Sequence, residues 1–316
     1  MPKLTDDRML SCSQLPAIMG HSKWSKPNDV LEYAVKAING EDPRTDAGEA
    51  ASWGNALEPA ILAEMGRRLQ IYKWHSPDRA FKHPTLPLGA SADAIAEPVE
   101  GMVIHHDPGA GIYVVDGDSI VLDGIGVLES KLTRGHPEDV LPLYRGPIQV
   151  QGVMMCTGAK WAAIGTLYSG VELRIFLFKP HAATQQAIRD ATVDFENRLH
   201  DYQSTGQMNW YPAADSDDAN RIWPVARDEE IDLGDEAATL AGEIAAMKAD
   251  IKDSEKKITD KEKRLKTLMQ QFSVAKAGNW EIKWPMRHYS ATAQKIVPGK
   301  EAYSIRQSTL TIKEIK

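Results

Sequence analysis

The sequence predicts a domain in which helices flank a central sheet, of the α/β or α+β class. Three observations support this prediction. Apolar residues recur at helical spacing in the N-terminal third, an alternating strand pattern follows at Gly126–Leu132, and helical and strand patterns then succeed one another up to about residue 212. We therefore expect residues 1–212 to form one mixed domain.

The N-terminal third is predicted to begin with two helices. The tripeptide Pro-Asn-Asp at 27–29 precedes an amphipathic run that ends near Ile38, as is typical of a capped helix start. A second run, Ala50–Leu69, also places its apolar residues at helical spacing. This second helix carries Glu58.

Short strands are predicted next. The segment Leu88–Ile95 has small residues around Asp93, which places Asp93 at or beside a strand. Turn-forming residues interrupt the following segment, 97–124, and its apolar patches Met102–Ile104 and Tyr113–Val115 predict one or two hairpins inserted between stronger strands.

The rest of the domain contains the strongest strand pattern and two further helices. Gly126–Leu132 begins with apolar residues and then alternates, and Pro147–Thr157 is predicted to be helical. A strand pair is expected at Ala162–Tyr168 and Val171–Phe178, followed by a closing helix at His181–Gln203.

The C-terminal third differs in composition from this domain. Residues 213–234 are acidic and rich in turn formers, which predicts a linker. Residues 235–272 follow a heptad pattern interrupted by Ser254 and Lys261, so we expect one long helix that is solvated, contacts DNA or pairs in an oligomer. The tail from Trp280 to Lys316 alternates and predicts two or three antiparallel strands.

Composition narrows the class of protein. With 42% hydrophobic and 26% charged residues among 316, the chain can bury a core and is neither disordered nor fibrous. No apolar run reaches a membrane-spanning length and no secretory signal pattern begins the chain. The two cysteines, Cys12 and Cys156, are far apart, so a reducing cytoplasm is expected. A net charge of −7 by itself disfavours a nucleic-acid partner.

Several acidic and basic residues form a pattern suited to metal-assisted chemistry. Glu129 and Lys131 are two apart on a predicted strand, so both side chains point to one face. Asp93 on a neighbouring strand could share a cation with Glu129, and Glu58 could add a further carboxylate. Magnesium suits this set because it takes one or two protein carboxylates and keeps its remaining positions for water and substrate phosphates. A lysine beside it could hold the attacking water.

The order of these motifs resembles the phage lambda exonuclease and YqaJ-type viral recombinase family, whose fold is the PD-(D/E)XK nuclease core. The matching positions, in family order, are Arg8 with Ser11–Ser13, Gly54–Glu58, Ser91–Ala94, Glu129–Lys131 and Gln149–Gln151. Ala92 and Ala94 replace the proline and glycine of the family's Ser-Pro-Asp-Gly turn. The resemblance covers roughly residues 5–205 and implies an α/β core with a central mixed sheet flanked by helices, to which the long helix and small β extension are added.

The resemblance also implies a reaction. A member of this family would hydrolyse one strand of linear double-stranded DNA from its 5′ end with Mg²⁺, or Mn²⁺ in its place, leaving a 3′ single-stranded overhang. Asp93, Glu129 and the Ser130 carbonyl would hold two metals, which can stabilise the attacking and leaving oxygens, while Glu58 would assist. Lys131 would position the water, and Gln149 would orient Lys131 or the water.

Other residues and partners follow from the same resemblance. Ser13, Ser91 and Arg8 would bind the terminal 5′-phosphate, and Trp24 could wedge the duplex end. The enzyme would be a homotrimeric ring that threads DNA, would act with a single-strand annealing protein, and would be a phage or prophage protein in the bacterial cytoplasm. Basic residues should then cluster along the phosphates despite the negative net charge; the candidates are Arg8, Lys23, Lys26, Lys131, Arg134 and Arg145.

Some alternatives remain open at the level of sequence. Gln149 and Gln151 are two apart on a helix and do not face one direction, so we expect Gln149 to be functional and Gln151 structural. An endonuclease on the same core, or a non-catalytic DNA-binding scaffold organised by the long helix, would fit many of the same residues.

Overall fold

The computed structural model describes residues 5–45 and 48–286. The chain divides into two compact units, Met1–Asp218 and Ala219–Lys316. The division falls within the acidic segment that the sequence predicts as a linker. In the described part of the chain, no helix is long and apolar enough to cross a membrane.

The described residues contain seven α-helices, numbered in chain order: α1 Leu15–Ile18, α2 Pro27–Ile38, α3 Gly48–Leu69, α4 Pro147–Thr157, α5 Ala182–Thr205, α6 Ser216–Ile222 and α7 Gly234–Met269. The strands are β1 Leu10–Ser11, β2 Trp74–His75, β3 Phe81–Lys82, β4 Leu88–Ala90, β5 Ala94–Ala96, β6 Met102–His105, β7 Ile112–Val114, β8 Ser119–Leu122, β9 Gly126–Thr133, β10 Trp161–Tyr168, β11 Glu172–Phe178, β12 Val274–Ala277 and β13 Trp280–Lys283.

A mixed six-stranded sheet forms the centre of the first unit, in the order β2-β5-β9-β10-β11-β7. Strand β9 pairs in parallel with β10 and antiparallel with β5, and β11 pairs antiparallel with β10 and parallel with β7. A smaller sheet, β1-β4-β3, lies apart from it in the pairing scheme. The predicted central mixed sheet flanked by helices is confirmed.

Both faces of this sheet are covered by apolar side chains. One core cluster joins residues of α1, α2, α4 and α5 to Val127, Ala162 and Ile164, and the other joins residues of α3 to Leu128 and Trp161. Successive residues of β9 alternate between the clusters, as the pleat of a strand requires. Because both faces are covered, β9 is an interior strand whose polar residues Glu129 and Lys131 must have partners.

Helix α3 approaches the sheet closely at Gly165. A Cβ at Gly165 would lie 2.3 Å from Met65 Sδ, a distance that no real side chain tolerates. Gly165 is also the register partner of Ser130 on β9. The absence of a side chain at Gly165 therefore allows α3 to pack directly over this part of the sheet.

The segment between β5 and β9 corrects the predicted hairpins in one respect. Met102–His105 does form a ribbon, but its partner is Ser119–Leu122. Ile112–Val114, predicted as part of a hairpin, instead pairs in parallel with β11 at the edge of the central sheet. All three residues of β7 are buried, because apolar side chains on both faces favour the covered sheet over an exposed ribbon.

The first unit ends with a segment bound to α2 through Asn28. The Asn28 side chain is fully buried, accepts a hydrogen bond from Tyr211 N at 2.8 Å, and donates to Tyr211 O at 3.1 Å and to Asp218 Oδ2 at 2.8 Å. The same Asp218 oxygen accepts a hydrogen bond from Ala214 N at 3.0 Å. These bonds explain why residues up to Asp218 belong to the first unit.

The second unit contains the predicted long helix, α7, and an antiparallel hairpin of β12 with β13. The hairpin includes Trp280–Lys283, the first part of the tail predicted as strands. The rest of that prediction, residues 287–316, lies outside the described residues. The apolar heptad positions of α7 are exposed, with exposed fractions of 39% to 72% for Leu240, Met247, Ile251, Ile258, Leu265 and Leu268.

Candidate active site

Three polar side chains form a closed hydrogen-bonded triangle where β9 meets the start of α4. Lys131 Nζ donates to Glu129 Oε1 at 2.8 Å and to Gln149 Oε1 at 3.0 Å. Gln149 Nε2 in turn donates to Glu129 Oε1 at 2.7 Å. Glu129 is buried and Lys131 only partly exposed, so the triangle is held in a low-dielectric environment in which each bond is strong.

Asp93 lies beside this triangle because of strand register. Ala94 of β5 pairs with Leu128 of β9, so the residue before Ala94 lies next to the residues after Leu128. Asp93 Oδ2 accepts hydrogen bonds from Ser130 N at 2.7 Å and from Ser130 Oγ at 3.0 Å. The structure therefore brings Asp93, Glu129, Ser130, Lys131 and Gln149 together.

The charges of these groups influence one another. Burial raises the pKa of Glu129 to about 7, the nearby Lys131 ammonium opposes this increase, and the Asp93 carboxylate adds to it. For Lys131, burial disfavours the charged form, but the carboxylates of Glu129, Asp93 and Glu58 outweigh it and raise the pKa of the ammonium. Glu58, which is carried by α3, has the smallest of these three effects on Lys131.

A cavity of about 900 Å³ opens beside the triangle. Lys131 and Gln149 form part of its wall, together with side chains from the N-terminal segment, from α2 and from the loop between β9 and α4: Ser13, Trp24, Tyr33, Arg134, Tyr144 and Arg145. Three of the predicted phosphate-contacting cations, Lys131, Arg134 and Arg145, therefore line one space. Its size is in the range of a small-ligand site.

The carboxylates offer oxygen ligands for a metal ion. Oε2 of Glu129 is buried and has no hydrogen-bond partner among the residues that the structure describes. Such an orphaned acceptor is costly unless a cation or water satisfies it. Within residues 5–45 and 48–286, no three His, Cys, Asp or Glu side chains are grouped closely enough to form a metal site by themselves. The donor set fits an ion that takes one or two carboxylates and completes its shell with water and phosphate.

The residues predicted to bind the 5′-phosphate are not all brought together. Ser13 lines the cavity, and its Oγ lies 2.9 Å from Ser11 Oγ. Ser91 lies in the turn between β4 and β5 and is half-buried, outside the described cavity wall. Arg8 is exposed and binds Asp6 through two bonds of 3.0 Å, since a guanidinium matches a nearby carboxylate in bidentate geometry.

Trp24 is the most exposed aromatic side chain of the cavity, with 75% of its surface accessible. Its ring meets that of Tyr144 edge to face, with the centroids 5.1 Å apart. Lys23 Nζ lies 4.7 Å from the centre of the Tyr144 ring, and the guanidinium of Arg145 is 5.5 Å from it. This aromatic pair, flanked by cations, forms one wall of the cavity.

Tyr144 is a site residue that sequence reasoning missed. The sequence does contain a feature that could have indicated it, because Tyr144 is an aromatic residue next to Arg145, just before the helix that carries Gln149. The adjoining Gly146 has φ 122°, and a Cβ there would lie 2.9 Å from Ile164 Cδ1 and 3.5 Å from Lys131 Cε. Glycine is needed at this position because φ is positive and a side chain would come too close to Ile164.

Gln149 and Gln151 have separate surroundings, as their spacing on α4 requires. Gln151 is buried, donates from Nε2 to Lys179 O at 2.8 Å and accepts from His181 N at 2.9 Å. It connects α4 to the segment that enters α5 and does not touch the Glu129–Lys131 pair. Gln149 alone of the two faces that pair.

Residues 5–160 match the model of the YqaJ-like viral recombinase domain. This part of the chain belongs to the YqaJ-like viral recombinase family. The matched segment includes every residue of the triangle, the turn at Asp93, the N-terminal residues of the cavity and α3 with Glu58. The resemblance stated from the motifs is therefore confirmed.

Solved structures with similar chains were also found, and no curated protein matches. LHK-Exo, an alkaline exonuclease from Laribacter hongkongensis, is 18% identical with a TM-score of 0.45, and the match covers 64% of this chain and 94% of LHK-Exo. The structure of LHK-Exo in complex with dAMP has the same identity and TM-score, and the match covers 62% of this chain and 90% of that chain. A phage-related exonuclease from Haemophilus somnus 129PT is 12% identical with a TM-score of 0.38, covering 63% and 96%.

Proposed function

We propose that this member of the YqaJ-like recombinase family is a metal-dependent exodeoxyribonuclease that digests one strand of linear double-stranded DNA from its 5′ end. The observation that carries the proposal is the triangle of Glu129, Lys131 and Gln149 at the edge of a cavity, with Asp93 beside it. Acidic ligands, a lysine and an adjoining basic cavity are the components that phosphodiester hydrolysis requires.

Each residue of the site has a role in this proposal. Asp93 and Glu129, with the Ser130 carbonyl and assistance from Glu58, would hold Mg²⁺, or Mn²⁺ in its place. The bound ions would lower the pKa of a water and neutralise charge on the phosphate. Lys131 holds the attacking water through its ammonium, and Gln149 holds Lys131 by accepting one of its hydrogen bonds.

The cavity suits the end of a DNA strand. Ser13 and the exposed guanidinium of Arg134 line it and can donate hydrogen bonds to a terminal phosphate. Trp24 and Tyr144 offer aromatic faces and edges on which the first base pair would rest. Arg8 and Ser91, which the family pattern includes in the phosphate site, would contribute only if the Asp6–Arg8 pair separates and the turn at Ser91 approaches the DNA.

The remaining features of the proposal rest on the family pattern. Digestion in the 5′ to 3′ direction would leave a 3′ single-stranded overhang, which a single-strand annealing protein would take up in recombination. A homotrimeric ring would retain the DNA between successive hydrolytic steps.

The proposal is tested with linear duplex carrying 5′-phosphates, the same duplex without them, and closed circular DNA. We expect Mg²⁺-dependent release of mononucleotides from the first, slower release from the second and none from the third. Lys131→Ala should abolish release, while Lys179→Ala, a lysine outside the cavity wall, should retain it. Cutting of circular DNA would indicate an endonuclease, and chelator-insensitive binding without hydrolysis would indicate a scaffold.

A further inference from the structure

Helix α7 carries an apolar stripe whose residues are exposed, except for the half-buried Ile244. Ile244, Ile251, Ile258 and Leu265 occupy the first core position of successive heptads, and Leu240, Met247 and Leu268 occupy the second, with Ser254 and Lys261 between them. Most of these side chains are at least half exposed. An apolar stripe with this spacing is the seam that helices bury against each other in a coiled coil.

We propose that α7 pairs with α7 of a second copy of this chain, as an antiparallel coiled coil whose twofold axis passes between Lys252 and Asp253. In this register each core residue faces a core residue of the second copy, and the two residue numbers add up to about 505. The charged residues that flank the stripe support this partner and this orientation, because flanking charges determine which helices pair in a coiled coil and in which direction.

The residues that flank the stripe change sign along the helix. On the side that precedes each first core position, the helix has Glu243 and Asp250 in its N-terminal half and Lys257 and Arg264 in its C-terminal half. Antiparallel helices place this side of one copy against the same side of the other. Glu243 then faces Arg264 of the second copy, and Asp250 faces Lys257 of the second copy.

The opposite flank is complementary in the same register. There Lys248 faces Glu255 of the second copy, and Glu262 faces the neutral Ala241. Each charged contact occurs twice because the arrangement is symmetric, and none joins like charges. Within one chain, Lys257 Nζ already reaches Asp253 at 2.6 Å, but this pair is exposed and easily exchanged.

A parallel pair would be less favourable. It would set Asp250 against Glu255 of the second copy, and it would place Lys261 opposite its own counterpart in the core. In the antiparallel pair, Lys261 meets Ile244 instead, and the two lysines lie about 25 Å apart along the axis. The lysine stem can then cover the isoleucine while its ammonium reaches solvent.

The charges also exclude a shifted antiparallel register. Sliding one helix by a heptad in one direction would set Lys257 against itself and Glu255 against itself. Sliding it in the other direction would do the same to Asp250 and Lys248. Only the central register avoids self-contact of charged residues near the axis, and it places Met247 opposite Ile258 of the second copy.

Cysteine cross-linking in the full-length protein tests orientation and register together. Met247→Cys and Ile258→Cys chains are produced separately and also co-expressed with different tags, and then oxidised; wild type controls for Cys12 and Cys156. We expect a disulfide that joins the two different tags on co-expression. Neither variant alone should cross-link, because the two copies of position 247 would be about 16 Å apart.

A cross-link in Met247→Cys alone would show a parallel pair and would overturn the proposal. No cross-link in any sample would overturn it as well, since it would mean that the stripe is solvated or covered by another segment of its own chain. Ile251→Lys provides a second readout in the full-length protein. It should halve the assembly mass in sedimentation equilibrium without loss of helical circular dichroism, whereas an unchanged mass would contradict pairing.

A charge exchange identifies the flanking contact. Asp250→Lys should weaken association roughly ten-fold, because it sets the introduced ammonium against Lys257 of the second copy. Adding Lys257→Asp should restore the affinity to near the wild-type value. Stronger association of Asp250→Lys alone would favour the parallel pair, where position 250 faces Glu255, and would overturn the antiparallel assignment.

Discussion

Gln149 accepts a hydrogen bond from the Lys131 ammonium at 3.0 Å and so limits the directions in which that ammonium can donate. The ammonium also donates to Glu129, and Lys131 forms part of the cavity wall. If Lys131 holds the attacking water, Gln149 is a positioning residue that acts through the lysine.

Gln149→Ala should lower kcat by roughly 10- to 100-fold with little change in KM, as is typical when a partner of a site residue is removed. The pH profile of kcat should also shift, because both Lys131 and Glu129 lose a hydrogen bond. Steady-state digestion of 5′-phosphorylated duplex measures both. Gln186→Ala, at an exposed glutamine of α5, is the matched control, and an unchanged pH profile with Gln149→Ala would argue against positioning.

Mg²⁺ should stabilise the wild-type protein through Asp93. At ten times its Kd, a bound ion raises the free energy of unfolding by about 1.4 kcal/mol, which appears as a higher Tm. Asp93→Asn should lose this increase and the nuclease activity together. Differential scanning calorimetry with and without Mg²⁺ measures the change in Tm. The control variant Asp190→Asn, on the surface of α5, should behave as wild type.

Protonation of Glu129 should couple stability to pH in the metal-free protein. Its pKa is about 7 when folded against 4.5 in an unperturbed chain, so between these values the folded state retains a proton that the unfolded state has released. The free energy of unfolding should therefore fall as pH rises from 4.5 to 7, by up to about 3 kcal/mol, and then level off.

This decline is measured by urea unfolding in the presence of a chelator. Glu129→Gln should remove its contribution across the same pH range, while Glu196→Gln on the exposed face of α5 should retain it. A decline of equal size in Glu129→Gln would assign the effect to other groups.

Tyr144 should contribute to binding of the DNA end. Aromatic contact with a base is worth about 1–3 kcal/mol, so Tyr144→Ala should raise KM for linear duplex roughly ten-fold or more. Tyr144→Phe retains the ring next to Trp24 and should have a KM near that of wild type. Equal losses in both variants would instead indicate a role for the hydroxyl.

Asn28 should be important for the stability of the first unit. Its buried amide makes three hydrogen bonds, and its removal leaves the buried acceptor Asp218 Oδ2 and the Tyr211 backbone underbonded. Asn28→Ala should lower the free energy of unfolding by about 2–3 kcal/mol. Chemical denaturation measures it, with the exposed Asn197→Ala expected to change little.

The sequence predicted the helices and long strands well because each has a strong local pattern. Helix α4 begins and ends at the predicted residues, and β9 was identified from its alternation. The partner of Met102–His105 and the edge position of Ile112–Val114 were not predictable, since three short apolar patches of similar character can pair in several ways. Long-range register decides between them, and a local pattern carries no information about it.

The candidate site shows the same division. Glu129, Lys131 and Asp93 were found because their spacing on strands determines which face they share. The pairing of Arg8 with Asp6 depends on side-chain geometry, and the approach of Trp24 to Tyr144 joins segments that are distant in sequence. Contacts of this kind appear only when the chain is folded.

Gly165 makes the position of an acidic side chain near the candidate site depend on how α3 packs against the sheet. Met65 rests on this glycine, and Glu58 lies seven residues, or about two helical turns, earlier on the same side of α3. A single added methyl group at position 165 would displace the fully buried Met65 side chain, and any shift of α3 that accommodates it would also move Glu58 relative to Lys131. A purely apolar substitution in the interior could therefore inactivate the protein while every ionisable residue of the site remains in the sequence.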